Sequence, residues 1–355
     1  MKNKFFELVT DELENNKNQE KLQILKMSLL LYIICVSKVV YEELEDLRDD
    51  NYLFLEYLNN FGFEYDLNGT YLENMKNFIL TGRDDVKITG YEWNVENPEK
   101  IVCIIHGIGE YAKRFEEVAD IFNRNKIAVF ALDLRGHGKT DGVRGHTAPR
   151  NMVLEDVDKL ILYAMEKYPD IKICLYGHSM GGNIVLDYRN RGNLNGELAG
   201  YVVTSPWITL QKKVGKLQYW GIKLLAKAMP KHQIKSKIDP AALGRIDKVK
   251  KYENDQYMHG AITAQCALES FEIARDMYYD NHEKKGAGRD KPMLLMHGDK
   301  DEICHVAGSR KIAKNQEDTC DYVEWKNMLH ELHNGNEESD GTQVVERAVE
   351  FVKSL

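Results

Sequence analysis

Ser179 stands in the run Gly177-His178-Ser179-Met180-Gly181-Gly182, directly after the apolar stretch 171–176 and directly before a helical pattern over 180–190. This is the G-x-S-x-G nucleophile elbow in the strand–turn–helix setting that its geometry needs. The turn is so tight that side chains two residues either side of the serine would meet the neighbouring backbone, so glycine stands there. The hydroxyl is then held in strained geometry at the start of a helix. A glycine-rich helix start that cradles phosphate is the competing reading. It wants more backbone donors or the lysine of GxxxxGK[ST], and neither is present around Ser179.

A serine hydroxyl is a weak nucleophile at neutral pH and needs a base held by a third group. In this setting the chain order is Ser, then Asp or Glu, then His. Asp301 closes the loop after the apolar run 292–297, and His330 stands in the loop after the run 322–325. They follow Ser179 by 122 residues and then a further 29. Asp301 is expected to fix the imidazole tautomer, leaving His330 to take the serine proton and return it to the leaving alcohol. Asp299 competes with Asp301 but reads as a turn residue after Gly298. His333 competes with His330 and reads as its near neighbour, while His297, at a strand end, reads as structural.

The run 101–106 leads from Ile101 through His106 into Gly107-Ile108-Gly109-Glu110. An attacked ester carbonyl becomes an oxyanion, and each preorganised donor to it is worth about 10²–10³ in rate. The backbone N–H of Met180, after the nucleophile, is expected to be one donor. That of Ile108 is expected to be the other, because His-Gly-X-Gly lets the main chain approach closely. A plain glycine-containing turn is the alternative. Asp133-Leu134-Arg135-Gly136-His137-Gly138 reads as a structural turn beside the site.

Holding these loops together takes a scaffold. From about 85 to 205, short apolar runs (86–93, 101–106, 127–132, 171–176, 201–204) alternate with helical patterns centred on 112–124, 151–167 and 180–190. Such alternation implies a mostly parallel sheet with helices on both faces, an α/β fold. Residues from about 207 to 285 carry helical patterns at 214–229 and 261–278 and no convincing strand. The rhythm resumes with 292–297, a helix near 306–315, 322–325 and a last helix over 343–354. The expected organisation is a helical N-terminal extension over 1–75, core over 76–206, a helical cap over 207–288 and core again over 289–355. Open α/β sheets bind ligands at the C-terminal edge of the strands, so the cap is a candidate lid.

With 355 residues the chain can bury a sizeable core without metal or disulfide staples. Its 48 Lys and Arg against 56 Asp and Glu leave a net charge of −8, which argues against a nucleic-acid surface. The 6 cysteines show no Cys-x-x-Cys and no zinc spacing, so no metal or cofactor is expected and a reducing cytoplasm is the default. The apolar run 27–37 falls short of the about 20 residues a membrane helix takes, and the acidic residues before it argue against a signal peptide. Leu22, Leu25, Leu29, Ile33, Val36, Val40, Leu44 and Leu47 read instead as one face of a long helix packed on its own protein. A membrane-surface or partner helix is the alternative.

Together these segments resemble the monoacylglycerol lipase and lysophospholipase group of the α/β-hydrolase superfamily, from about residue 86 to 352. The markers are His106-Gly-Ile-Gly-Glu-Tyr, Asp133-Leu-Arg-Gly-His-Gly, Gly177-His-Ser-Met-Gly-Gly, Ser205-Pro-Trp207, Gly298-Asp-Lys-Asp301 and His330-Glu-Leu-His333. The resemblance implies the α/β-hydrolase fold, serine-esterase activity without a cofactor, lipid monoester substrates, and a triad of Ser179, Asp301 and His330. It also implies that His106, Gly107, His178 and Trp207 belong to the substrate site and that Cys304 lies near the acyl pocket, where an inert buried thiol is expected. The N-terminal 75 or so residues have no counterpart in the family core. The cap departs by being lysine-rich (Lys212, Lys213, Lys216, Lys223, Lys227), interleaved with Leu217, Tyr219, Trp220, Leu224, Leu225 and Met229. Amphipathicity marks any surface helix, so this one is expected to pack on its own core, with contact to a lipid surface as the alternative.

The expected function is hydrolysis of single-acyl-chain esters through an acyl-enzyme, with monoacylglycerol first and lysophospholipid or short-chain esters behind it. Acyl transfer to an alcohol and a non-enzymatic binding role are the remaining readings.

Overall fold

The computed structural model describes residues 75–235, 239–252, 254–280 and 286–355. The expected N-terminal extension and its long amphipathic helix lie outside the described residues, residue 75 apart. In chain order the strands are β1 (Met75–Thr81), β2 (Lys87–Trp93), β3 (Lys100–Ile105), β4 (Ile127–Leu132), β5 (Ile173–His178), β6 (Gly200–Thr204), β7 (Gln233–Lys235), β8 (Ala261–Thr263), β9 (Met293–Gly298) and β10 (Cys320–Trp325). The α-helices are α1 (Glu116–Arg124), α2 (Arg150–Lys167), α3 (Met180–Arg191), α4 (Lys216–Ala228), α5 (Ile246–Lys250), α6 (Ala264–Tyr279), α7 (Ala307–Asn315) and α8 (Thr342–Ser354).

Eight strands form one sheet in the order β1-β2-β4-β3-β5-β6-β9-β10. The β1–β2 and β2–β4 pairs are antiparallel and every other pair is parallel. The apolar run of β3 follows from its position near the middle. Side chains alternate across a strand, so a strand covered on both faces must be apolar throughout. Ile101, Cys103 and Ile105 enter one core; Val102 and Ile104 enter the other. The first core is closed by α2 and α3, with Val157, Leu160, Ile161, Ile184 and Val185. The second is closed by α1 and α8, with Val118, Phe122, Val345, Val349 and Val352.

Four features differ from the sequence reading. β1 was not expected; its polar Lys76 and Asn77 interrupt any apolar run, and among the described residues it is the sheet edge beside β2. The strand expected over 171–176 begins at Ile173 and runs on to His178, because Gly177 and His178 pair with Val203 and Thr204 before the chain turns. The insertion between β6 and β9, expected to hold no strand, contains the ladder β7–β8, three residues each and too short to show a period. That ladder absorbs the expected start of the helix at 261, so α6 begins at Ala264 behind a Thr263 cap that accepts from the Cys266 N–H.

The α4 helix packs by one face only. Tyr219, Ile222, Leu225 and Ala226 turn inward, as expected of a lid helix on its own core. Leu217, Trp220 and Leu224, spaced i, i+3 and i+7, point outward and are 86%, 63% and 70% exposed. A second apolar stripe therefore faces away from the protein. The sequence reading had favoured packing alone. Among the described residues no helix is long and apolar enough to cross a membrane.

Candidate active site

Ser179 is the hinge between β5 and α3, with φ 55° and ψ −117°. A Cβ on Gly177 would lie 2.4 Å from the Gly181 carbonyl oxygen, and one on Gly181 would lie 2.0 Å from the Ile105 carbonyl oxygen. Any side chain at either place would push the corner open, so the two glycines and the strained serine come as one unit. The corner is pinned from its flank: the Ser179 N–H donates to the Thr204 carbonyl at 3.0 Å, and the Trp207 N–H donates to the Ser179 carbonyl at 3.0 Å.

Three loops meet at this corner. His330 Nε2 lies 2.9 Å from Ser179 Oγ, and His330 Nδ1 lies 2.7 Å from Asp301 Oδ2. All three residues are buried. Asp301 Oδ1 is occupied, accepting the N–H groups of Ile303 and Cys304 at 2.8 Å each. That leaves Oδ2 for the imidazole. His297 Nε2 lies between the Cys304 carbonyl at 3.0 Å and the same Asp301 oxygen at 3.1 Å, while its Nδ1 lies 2.7 Å from the Ser309 hydroxyl. The structural histidine of the sequence reading thus braces the loop that carries Asp301 and touches its carboxylate, a role its place at a strand end did not disclose.

Burial works against charge on His330, but the neighbouring Asp301 carboxylate, with Glu331 and Glu110 beyond it, outweighs burial and holds the imidazole above the ordinary histidine range. Asp301 shows the reverse. Burial opposes its ionisation, yet His330 and His297 hold it well below the usual carboxylate range. An ionised acid beside a more basic imidazole is the arrangement that favours proton transfer from a hydroxyl.

The competing residues lie apart from this contact. Asp299 accepts from the Asn327 N–H at 2.7 Å and ties the loop after β10. His333 is buried beside Phe115, with ring centroids 4.9 Å apart, and sits edge-on to His178 at 5.2 Å. His178 packs 5.0 Å from the His330 ring with its Nδ1 3.0 Å from the Thr204 hydroxyl. His106 is fully buried, donating from Nδ1 to the Gly107 carbonyl at 2.7 Å and accepting at Nε2 from the Leu134 N–H at 2.9 Å. Both its nitrogens hold the loop. Cys304 is buried and its thiol is pushed well above the usual range by that burial, while Trp207 lies edge-on to Phe271 of α6.

Gly107 lies against the nucleophile; a Cβ there would stand 3.1 Å from Ser179 Cβ. The loop bearing Ile108 thus adjoins the corner, and Met180 opens α3 on its other side. Beside Met180 a cavity is lined by Val153, Leu154, Ile184, Cys266 and Ile273 among others. Sequence reasoning missed one further group altogether. Glu110, Arg114 and Glu331 form a buried ion-pair chain linking the Gly107 loop to the His330 loop. Glu331 follows His330 directly, and Glu110 belongs to the His-Gly-X-Gly-Glu run, but nothing in the sequence joins them. Among the described residues no cluster of three or more His, Cys, Asp or Glu side chains is arranged to hold a metal ion.

The strand order, the glycine-walled corner and the Ser–His–Asp contact define an α/β-hydrolase. Residues 96–338 match the family described as serine aminopeptidase, S33. An uncharacterised abhydrolase domain-containing protein of Dictyostelium discoideum is 31% identical over 267 residues, 74% of this chain but 27% of that protein. A monoacylglycerol lipase of Mycolicibacterium smegmatis is 31% identical over 65% of this chain and 81% of its own length. Among solved structures, a monoacylglycerol lipase of Paleococcus ferrophilus superposes with a TM-score of 0.65 at 26% identity, covering 76% of this chain and 98% of that one. The chain belongs to the S33 family of α/β-hydrolases, and it is a carboxylic ester hydrolase.

Proposed function

We propose that the protein hydrolyses esters of a single acyl chain, monoacylglycerol foremost, through an acyl-enzyme on Ser179. What carries this reading is the unbroken contact from Ser179 Oγ to His330 Nε2 and from His330 Nδ1 to Asp301, at 2.9 and 2.7 Å. Ser179 Oγ attacks the ester carbonyl as its proton passes to His330 Nε2. The carbonyl oxygen, now negative, is met by the backbone N–H groups of Met180 and Ile108. His330 hands its proton to the leaving alcohol as the ester C–O bond breaks. Water, deprotonated by the same imidazole, then releases the fatty acid. Each buried CH₂ contributes about 0.8 kcal/mol, so ten carbons of acyl chain gain roughly 8 kcal/mol once covered. The insertion over 207–288, acting as a lid, supplies that cover. A small neutral head group needs no dedicated charge partner.

The purified protein is expected to turn over monoacylglycerol faster than lysophospholipid, and both faster than short-chain esters. Faster lysophospholipid turnover would move the assignment to the runner-up. An added alcohol that captures most of the acyl group would instead make the protein a transferase, and cleavage confined to aminoacyl amides would remove the lipid reading.

The outward stripe of Leu217, Trp220 and Leu224 bears on how substrate arrives. Exposed apolar residues at helical spacing beside Lys216, Lys223 and Lys227 suit an interfacial helix on an anionic lipid surface. The paired substitution Leu217→Glu/Leu224→Glu is expected to weaken binding to anionic phospholipid vesicles on the order of tenfold or more, since the apolar area that enters the interface is lost. Turnover of a water-soluble short-chain ester should not change. Equal losses on vesicles and soluble ester would contradict this role.

A further inference from the structure

We infer that Arg114 is a positioning residue that locks the oxyanion loop and the loop bearing His330 into one arrangement, by way of the buried carboxylates of Glu110 and Glu331. The inference rests on the hydrolase reading above and concerns what keeps its parts in place.

The contacts form one chain. The Gly107 N–H donates to Glu110 Oε1 at 2.7 Å. Arg114 donates from one terminal nitrogen to Glu110 Oε2 at 2.6 Å, and from both to Glu331, at 2.8 Å each. Glu331 is the residue after His330, and its own N–H donates to the Leu243 carbonyl of the insertion at 2.6 Å. The ring of Tyr252, also in the insertion, lies 5.1 Å from the Arg114 guanidinium carbon. The Arg114, Glu110 and Glu331 side chains are 2%, 5% and 3% exposed. A path of hydrogen bonds therefore runs from the loop against Ser179 to the residue beside the base, across two segments more than two hundred positions apart in the chain.

Stability is a poor explanation for such a group. Three charges removed from water gain little over a well-packed apolar set, and removing one partner strands the others. What the set provides is geometry. The bidentate fork between Arg114 and Glu331 fixes direction as well as distance, and a catalytic group displaced by about 1 Å can cost a hundredfold in rate. The oxyanion donors and the imidazole come from different loops, so a rigid strut between them has a clear task.

The same set acts on the base electrically. The groups facing His330 are Asp301 from the loop after β9, Ser179 and His178 from the corner, Glu331 from its own loop, and Glu110 from the oxyanion side; Arg114 pairs with both glutamates and His333 lies edge-on to His178. Burial opposes ionisation of Glu331, but Arg114 overrides it and keeps that carboxyl well below the usual range. Glu110, buried beside a second carboxylate, is pushed up. Negative charge at Glu331 favours the imidazolium, so neutralising it should lower the pKa of His330 and move the acid limb of kcat/KM to lower pH.

The experiment is Glu331→Gln in the full chain, assayed on a soluble ester. We expect kcat to fall about tenfold with KM held within about threefold, the pattern of an interaction made only in the transition state. The acid limb should shift downward, and fluorophosphonate labelling of Ser179 should slow by a similar factor. A variant with wild-type kcat overturns the inference. So does one whose kcat falls together with its melting temperature while the acid limb stays in place, since that is loss of structure alone. Should Glu331→Gln not fold, Glu110→Gln keeps an acceptor for the Gly107 N–H and is expected to lower kcat with KM unchanged; an unchanged kcat there is equally fatal. Wild-type protein that neither turns over an ester nor takes the probe would remove the hydrolase reading and this one with it. Active wild type with unaffected variants removes this one only.

Discussion

Replacing Ser179 by alanine, or His330 by alanine, is expected to lower ester turnover by about 10⁶, with the two together costing little more than either alone. The reason is that the hydroxyl and the imidazole act as one unit. Without Oγ there is no atom to carry the acyl group, and without Nε2 the serine proton has nowhere to go. Among the described residues no neighbour is placed to substitute. His178 packs against His330 but is turned to the Thr204 hydroxyl, and His333 lies beyond it against Phe115. A residual rate of about 10³ over water should persist, since substrate binding and the oxyanion donors survive both changes. A fluorophosphonate should label wild type and spare Ser179→Ala. Turnover reduced less than tenfold in either variant would unseat the residue concerned.

Asp301→Asn should cost about 10⁴ in turnover while leaving the fold intact. The direction of the amide is dictated by its surroundings. Oδ1 accepts two backbone N–H groups, from Ile303 and Cys304, so the new carbonyl oxygen must stay there. The amide nitrogen then falls where Oδ2 was, pointing donors at His330 Nδ1 and His297 Nε2. His330 can relieve the clash only by moving its proton to Nε2, and an imidazole protonated there cannot accept from Ser179. Loss of the carboxylate also removes the main influence that raises the His330 pKa. Turnover of Asp301→Asn measured at a saturating ester concentration decides the matter, with a decline under tenfold counting against Asp301 as the orienting acid.

Much of this was legible in the sequence because the strands are short and apolar. The runs at 101–106, 127–132 and 201–204 announce covered strands, and the glycines around Ser179 mark a corner that little else would require. Chain order, with position in the loops after two apolar runs, put Asp301 and His330 ahead of Asp299 and His333 as candidates. What stayed hidden depends on contacts between distant segments. β1 carries Lys76 and Asn77 because it is an edge, and β7 and β8 are too brief to repeat a pattern. The outward stripe of α4 looks like an ordinary amphipathic helix until the inward face proves to be Tyr219, Ile222, Leu225 and Ala226. Glu110 and Arg114 stand only four residues apart, but Glu331 lies more than two hundred residues on, and nothing in the sequence joins it to them. His297 gave only its place at a strand end, since its partner is decided by how the next loop folds back.

The direct pairing of β6 with β9 has an evolutionary reading. Everything between them is an excursion of the chain, and a short crossover in its stead would leave the register of the sheet as it is. That stretch is a cassette: its length and greasiness can change without altering the strands on either side of it. Its freedom is limited where it is stitched to the site's own loops, among other places through Leu243 to Glu331, Tyr252 over Arg114, Asp255 to Tyr111, and His259 to Gly109. A transplanted module that omitted those stitches would inherit the scaffold but not its tuning.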